Sequence, residues 1–308
     1  SPQQPNVTSF GATTVAIITL EAFAGMWINT FIACVLCIAW VKKKTLNSNE
    51  KILLLLGCSR SCSLCVSWVN YFFSIIYPNH LYIYPTHHLL ASFQTFFNYS
   101  DLWISACLCV FYCLKIANFR NSFFIYLKVK IDSMVPWLLL GSEILAMAIG
   151  IIAYEIAENL HGNNLNFTCQ RNFWEVNIRI DKHFFPIYLL TGLGSAASFM
   201  VVVLSAVFLL FSLWRPKCKM QTNSMKNLSM DAHIRAMKSI LSFLVMYSIN
   251  FLCLVFKIIY AKKHENTNVF LLSIYLYAFP GVHALILIFC NPKLEKTVLR
   301  VLSCVKCK

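Results

Sequence analysis

Charged side chains lie inside several long apolar stretches of this chain, and the chemistry of three of them needs an explanation first. Arg60, Asp101 and Glu143 each fall in a stretch that is otherwise free of charged residues. A guanidinium in the hydrocarbon of a membrane costs about 2.5–3.5 kcal/mol, so Arg60 needs a partner that accepts its hydrogen bonds. The pattern indicates a polar centre within a helix bundle. No Ser/His/Asp or HExxH arrangement and no facing pair of carboxylates is visible, so we do not expect an enzyme.

Apolar stretches of this kind recur seven times, and each is near the roughly 20 residues that a membrane-spanning helix needs. Apolar residues make up 58% of the 308, and charged residues only 12%, against about 25% in soluble domains. We therefore predict an all-α membrane protein, one seven-transmembrane domain over residues 1–308 with a short cytosolic amphipathic helix after the seventh span. The predicted spans are 13–40, 52–76, 88–114, 132–155, 184–214, 238–259 and 269–290, and the amphipathic tail is 293–307.

Lysine and arginine are concentrated in four segments, namely 41–51, 115–130, 215–238 and the tail after 291. These segments hold 19 of the 26 basic residues, and such residues mark cytosolic loops. We therefore expect an extracellular amino terminus and a cytoplasmic carboxyl terminus. The net charge of +14 suits anionic membrane lipids and an acidic protein partner. Nucleic-acid binding is disfavoured, because the basic residues are divided among short loops anchored to a membrane.

The 14 cysteines do not form a disulfide framework, and no CxxC pair has a second pair nearby in sequence, so no metal site is predicted. Cys304 and Cys307 follow a basic amphipathic stretch and are candidates for palmitoylation. Asn166 opens an Asn-Phe-Thr sequon in a predicted outer loop, where we expect glycosylation.

Short motifs follow one another in a fixed order along the spans. The third span ends FYCLKIANF from Phe111, the sixth begins AHIRAMKSILSFLVMY from Ala232, and the seventh contains PGVH from Pro280. Together with Ser59–Arg60 in the second span, these motifs resemble the bitter taste receptors, the taste receptor type 2 family of G-protein-coupled receptors. The resemblance covers essentially the whole chain. Among the departures, Tyr99 stands where that family usually has His.

The resemblance implies a receptor in the plasma membrane that binds small amphipathic bitter molecules and activates a heterotrimeric G protein of the gustducin type, without a cofactor. It places the ligand site in the extracellular half of the bundle. The ligand-binding positions implied are Gln94, Asn98, Tyr247, Asn250, Leu254, Ser273 and Tyr277. Gln94 is not acidic, so a strict requirement for cationic ligands is disfavoured.

The resemblance also implies an activation switch formed by Asn29, Arg60, Tyr112 and His283. We expect the Asn29 amide oxygen to accept from the Arg60 guanidinium, either as a stability clamp or as a switch. Tyr112 either moves to admit the G protein or anchors its helix at headgroup depth. His283 is either a sensor or a hydrogen-bonded core residue. The predicted G-protein contacts are Lys115, Arg120, Lys219, His233 and Lys238.

Two alternatives stay open. A vomeronasal type 1 pheromone receptor is a related seven-span protein, although the motifs at 114–119 and 232–238 argue against it. A small transporter or channel belongs to another class, and its usual internal repeats are not visible in the sequence. A retinal protein is disfavoured because the stretch 269–291 contains no lysine.

Overall fold

The computed structural model describes residues 9–76, 86–117, 121–162, 185–214, 227–262 and 266–306. Over these ranges the chain folds into eight α-helices and contains no strand, which confirms the predicted all-α class. The helices are α1 (Ser9–Lys43), α2 (Ser48–Ile76), α3 (Thr86–Ile116), α4 (Ser122–Gly162), α5 (Phe185–Trp214), α6 (Asn227–Lys262), α7 (Asn266–Cys290) and α8 (Pro292–Lys306).

Six of the described helices, α1 to α5 and α7, are long and apolar enough to cross a membrane. The apolar part of α6 is shorter, Leu241–Lys257, within a helix of 36 residues that is about 54 Å long. Because the hydrocarbon core of a bilayer is about 30 Å thick, the length of α6 suffices for a seventh crossing even though its apolar stretch falls short.

The third connection differs from its prediction. Residues 115–130 were expected to link two spans, but α4 already begins at Ser122. The Asn121 side chain accepts a hydrogen bond from the Phe123 amide at 2.9 Å, which caps the amino end of the helix. Lys128 and Lys130 therefore lie on α4, where Lys128 donates to the Ala117 carbonyl at 2.9 Å. Charge had marked this segment as a loop, although long lysine side chains on a helix end can reach the membrane interface.

Helix α3 lies at the centre of the bundle, packed against α2, α4, α5 and α6. Helices α1 and α7 approach closely at two glycines, because a Cβ on Gly281 would lie only 3.1 Å from the Gly25 Cα. This approach brings Asn29 of α1 within hydrogen-bonding distance of α7, where its amide donates to the Pro280 carbonyl at 3.3 Å. Small residues let helix backbones meet in this way within membranes.

A short amphipathic helix follows the last span, as expected. The Asn291 side chain accepts from the Lys293 amide at 3.0 Å and so caps α8. Leu294 is fully buried against the bundle, while Leu299 and Val301 are exposed. Lys293 forms an ion pair with Glu50 at 2.5 Å, which joins the beginning of α8 to the beginning of α2.

Candidate functional site

Arg60 lies at the centre of a polar network that joins three helices. Its Nε donates to Asp101 Oδ1 of α3 at 2.7 Å, and its Nη2 donates to Ser105 Oγ at 3.2 Å. Its Nη1 lies 2.6 Å from His283 Nδ1 of α7. The guanidinium is only 1% exposed, so these contacts replace the water that it would otherwise bind.

The contact with Arg60 fixes the protonation of His283. Arginine only donates hydrogen bonds, so Nδ1 must accept, and the imidazole is neutral with its proton on Nε2. This Nε2 is buried and has no hydrogen-bond partner among the residues that the structure describes. The ring instead lies against two aromatic side chains, stacked on Phe279 at 5.9 Å and edge-on to Phe243 of α6 at 4.6 Å.

The aromatic cluster formed by Phe243, Tyr247, Phe279 and His283 connects this network to α6. Tyr247 stacks on Phe243 with ring centroids 5.2 Å apart, and its hydroxyl lies 3.3 Å from Ser198 Oγ of α5. A displacement of α6 or α5 would therefore change the contacts of the His283 ring, which in turn contacts the Arg60 guanidinium. The arrangement thus links a buried charged group to rings on two further helices.

The predicted contact between Asn29 and Arg60 is wrong. The Asn29 amide nitrogen donates to the Gly25 carbonyl at 2.8 Å and to the Pro280 carbonyl at 3.3 Å. Arg60 bonds to Asp101 instead, because a carboxylate is a stronger acceptor for a guanidinium than a neutral amide. Asn29 thus ties α1 to α7, one step removed from the charged network.

Asp101 is the residue that sequence reasoning did not assign to the site. It was recognised only as a single acid in the third span. The available signal was its charge, because a buried arginine and an acid within spans are each costly alone and stabilise each other when paired.

Three of the seven predicted ligand-binding residues come together in an outer polar cluster. Gln94 and Asn98 share one face of α3, and Gln94 Nε2 donates to Asn98 Oδ1 at 3.2 Å. Ser67 of α2 donates to Gln94 Oε1 at 2.9 Å, and Tyr277 of α7 donates to the Ser67 carbonyl at 2.9 Å. Ser63 completes the cluster by donating to Asn98 at 3.1 Å. These side chains join α2, α3 and α7.

The other four lie elsewhere. Tyr247 belongs to the aromatic cluster and is 2% exposed. Asn250 and Leu254 are half-buried on α6. The Ser273 hydroxyl donates to the Val269 carbonyl of its own helix at 2.8 Å, so it is occupied locally.

The predicted cytosolic contacts are described only in part. Tyr112 is half-buried and packs against the core of the bundle. Lys115 forms an ion pair with Asp132 of α4 at 2.5 Å. His233 and Lys238 lie on α6, but their side chains are outside the described part of the structure, as are Arg120 and Lys219 altogether.

The predicted modification sites also fall outside that part. Asn166 and Cys307 are not among the described residues, and Cys304 lies on α8 with its side chain undescribed. Among the residues that are described, no cluster of His, Cys, Asp or Glu could hold a metal ion.

A helical bundle of apolar spans around a buried charged network is the architecture of a multi-pass membrane protein. Residues 7–306 match the family described as taste receptor protein (TAS2R). The chain belongs to this family, the taste receptors type 2 or bitter taste receptors. The vomeronasal and transporter alternatives are thereby set aside.

Individual relatives agree with that membership. Taste receptor type 2 member 8 of Gorilla gorilla gorilla is 32% identical over 298 residues, which cover 95% of this chain and 96% of that protein. Taste receptor type 2 member 9 of Homo sapiens is 30% identical over 302 residues, covering 95% and 94%. Taste receptor type 2 member 41 of Rattus norvegicus is 33% identical over 291 residues, covering 92% of each chain.

Proposed function

We propose that this receptor binds small amphipathic bitter molecules in the outer half of its bundle. The proposal is supported by the outer polar cluster, in which Gln94 and Asn98 supply amide groups and Tyr277 supplies a hydroxyl. The ring of Tyr71 adds an aromatic surface, with its centroid 6.1 Å from that of Tyr277. Such a surface supplies apolar contact area for affinity and a few hydrogen bonds that fix orientation. Asn250 and Leu254, which are half-buried on α6, would contribute further contacts, whereas Tyr247 and Ser273 are buried and would reach a ligand only after a rearrangement.

Ligand binding is coupled to activation through the charged network. The single observation that carries this step is the buried contact of Arg60 with Asp101 and His283. Asp101 lies about one turn of α3 from Asn98 and about two turns from Gln94 of the outer cluster. A ligand shifts the equilibrium between the resting and active states only by its different affinity for the two. A ligand that pulls on α3 or α6 changes the contacts of the network and so favours one state.

The active state engages a heterotrimeric G protein of the gustducin type at the cytosolic ends of the helices. Tyr112 and Lys115 lie at the end of α3, and Lys115 is partly exposed. Lys115 would belong to a basic surface for an acidic partner, together with Arg120, Lys219, His233 and Lys238. Tyr112 would lie beside this surface. The receptor would sit in the plasma membrane with its amino terminus outside, as the distribution of lysine and arginine indicates.

The decisive experiment removes the Tyr112 side chain. We expect Tyr112→Ala to reach the cell surface but to lose agonist-evoked calcium release in cells that supply a promiscuous G protein. The matched control is Tyr126→Ala, because Tyr126 is an exposed aromatic residue near the same end of the bundle. Full signalling by Tyr112→Ala, or equal losses in both variants, would remove Tyr112 from the mechanism.

A further inference from the structure

An open cleft of about 570 Å³ lies beside the ion pair of Lys115 and Asp132. Its walls come from the turn before α2, the first turns of α2, the end of α3 and the beginning of α4. The cleft lies at the same end of the bundle as the basic segments, and therefore at the depth of the inner-leaflet headgroups if those segments are cytosolic.

The cleft carries a positive charge that its own acid does not balance. Asp132 is paired with Lys115, whereas Lys51, also on the wall, is exposed and bonds to no acidic side chain among the described residues. A ligand that fits this surface carries an anionic group for Lys51.

An apolar track leads from the cleft along α4. Val129, Ser133 and Trp137 stand on one face at successive turns, and Val129 and Trp137 are 75% and 74% exposed. The track continues over Leu140 and Ile144, which are 51% and 54% exposed. A headgroup in the cleft would therefore have a surface for its acyl chain directly beside it, which a soluble anion would not use.

We propose that the cleft between α2, α3 and α4 binds the headgroup of an anionic phospholipid whose acyl chain lies along the exposed face of α4. Lys51 contacts the phosphate. Phosphatidylserine has an anionic headgroup and acyl chains and is the probe with which the site can be tested.

The test compares the full chain in nanodiscs of phosphatidylcholine with and without phosphatidylserine. Retained phosphatidylserine is counted by native mass spectrometry after extraction. One lysine near an anionic surface changes binding about fivefold, so Lys51→Gln should retain about fivefold less phosphatidylserine than the unmodified receptor. Ser133→Trp, which fills the cleft without changing its charge, should cause a similar loss.

The matched control is Lys42→Gln, which removes the same charge from the exposed end of α1, at a residue that does not line the cleft. It should retain phosphatidylserine as the unmodified receptor does. Equal losses in Lys42→Gln and Lys51→Gln would mean a diffuse charge effect and would overturn the site. Inorganic phosphate that displaces phosphatidylserine at millimolar concentration would assign the cleft to a free anion instead. An effect of Lys51→Gln on calcium release alone, with lipid retention intact, would assign it to the protein partner.

Discussion

The pairing of Arg60 with Asp101 makes a quantitative prediction about stability. Arg60 is 1% exposed and Asp101 is 18% exposed, so the pair is largely desolvated. Removing one partner of a buried pair costs 3–5 kcal/mol, because the other charge stays buried and unneutralised. Asn at position 101 keeps an oxygen that can accept from Nε, and the partial exposure of this site moderates the loss. We expect Asp101→Asn to destabilise the folded receptor by about 3 kcal/mol.

The matched control is Glu143→Gln, the same acid-to-amide change in another span. Glu143 accepts a hydrogen bond from the Ser100 hydroxyl at 2.6 Å, and no cation pairs with it in the described part of the chain. Because glutamine also accepts from a hydroxyl, the cost should stay near or below about 1 kcal/mol. Unfolding of the purified receptors in nanodiscs measures both changes, and surface expression gives an independent readout.

A double substitution separates the pair from its environment. Arg60→Met with Asp101→Leu replaces both charges by apolar groups, which is often close to neutral for a buried pair. The double variant should therefore be more stable than Asp101→Asn while its response to agonist is lost. Two results would contradict a stabilising ion pair. One is that Asp101→Asn is as stable as Glu143→Gln. The other is that the double variant loses the sum of the free energies that Arg60→Met and Asp101→Leu lose singly.

Two further predictions concern the packing of α1 on α7 and the outer cluster. Gly281→Ala places a Cβ 3.1 Å from the Gly25 backbone and should lower the free energy of unfolding by about 1–3 kcal/mol. The control Gly141→Ala has no atom within 4 Å of the new Cβ and should raise the free energy of unfolding by up to about 1 kcal/mol in the same assay. Equal effects would show that the close approach is unimportant. Gln94→Leu removes hydrogen bonds worth about 0.5–1.5 kcal/mol each, so it should lower agonist potency by about threefold to tenfold or more. The control Phe93→Leu, on the exposed face of α3, should leave agonist potency unchanged. Unchanged potency in a dose–response measurement would place Gln94 outside the ligand site.

Much of the architecture was predictable because it rests on local properties. Apolar stretches of the required length define most of the helices, and the Asn291–Pro292 pair marks the beginning of α8. The need of Arg60 for a partner was also predictable, since it follows from the cost of a buried charge alone. These inferences use one segment at a time and require no knowledge of how segments pack.

The identity of the partners was not predictable in the same way. Arg60 is separated from Asp101 by 41 residues and from His283 by 223, so their contact depends on how α2, α3 and α7 are rotated and cross. The beginning of α4 was missed for a different reason, because charge was taken as the mark of a loop when the Asn121 cap continues the helix into the charged segment.

Tyr99, the departure from the family pattern in the third span, now has a structural role. Its hydroxyl donates to the Leu190 carbonyl of α5 at 2.5 Å, and its ring lies against Gly194, whose lack of a side chain leaves room for it. The side chain is 3% exposed and therefore ties α3 to α5 rather than lining an open cavity.

The kinds of contact around His283 differ between its neighbours, and this difference bears on which helix can move. Helices α2, α3 and α7 are held by directional bonds to a charged group, which break if the atoms separate by an ångström or two. Phe243 and Tyr247 of α6 meet His283 and Phe279 through flat ring faces and edges, which can slide past one another with little loss. A displacement of α6 would therefore shift the ring contacts of His283 and Phe279 first, whereas a displacement of α2, α3 or α7 would break hydrogen bonds of the Arg60 guanidinium.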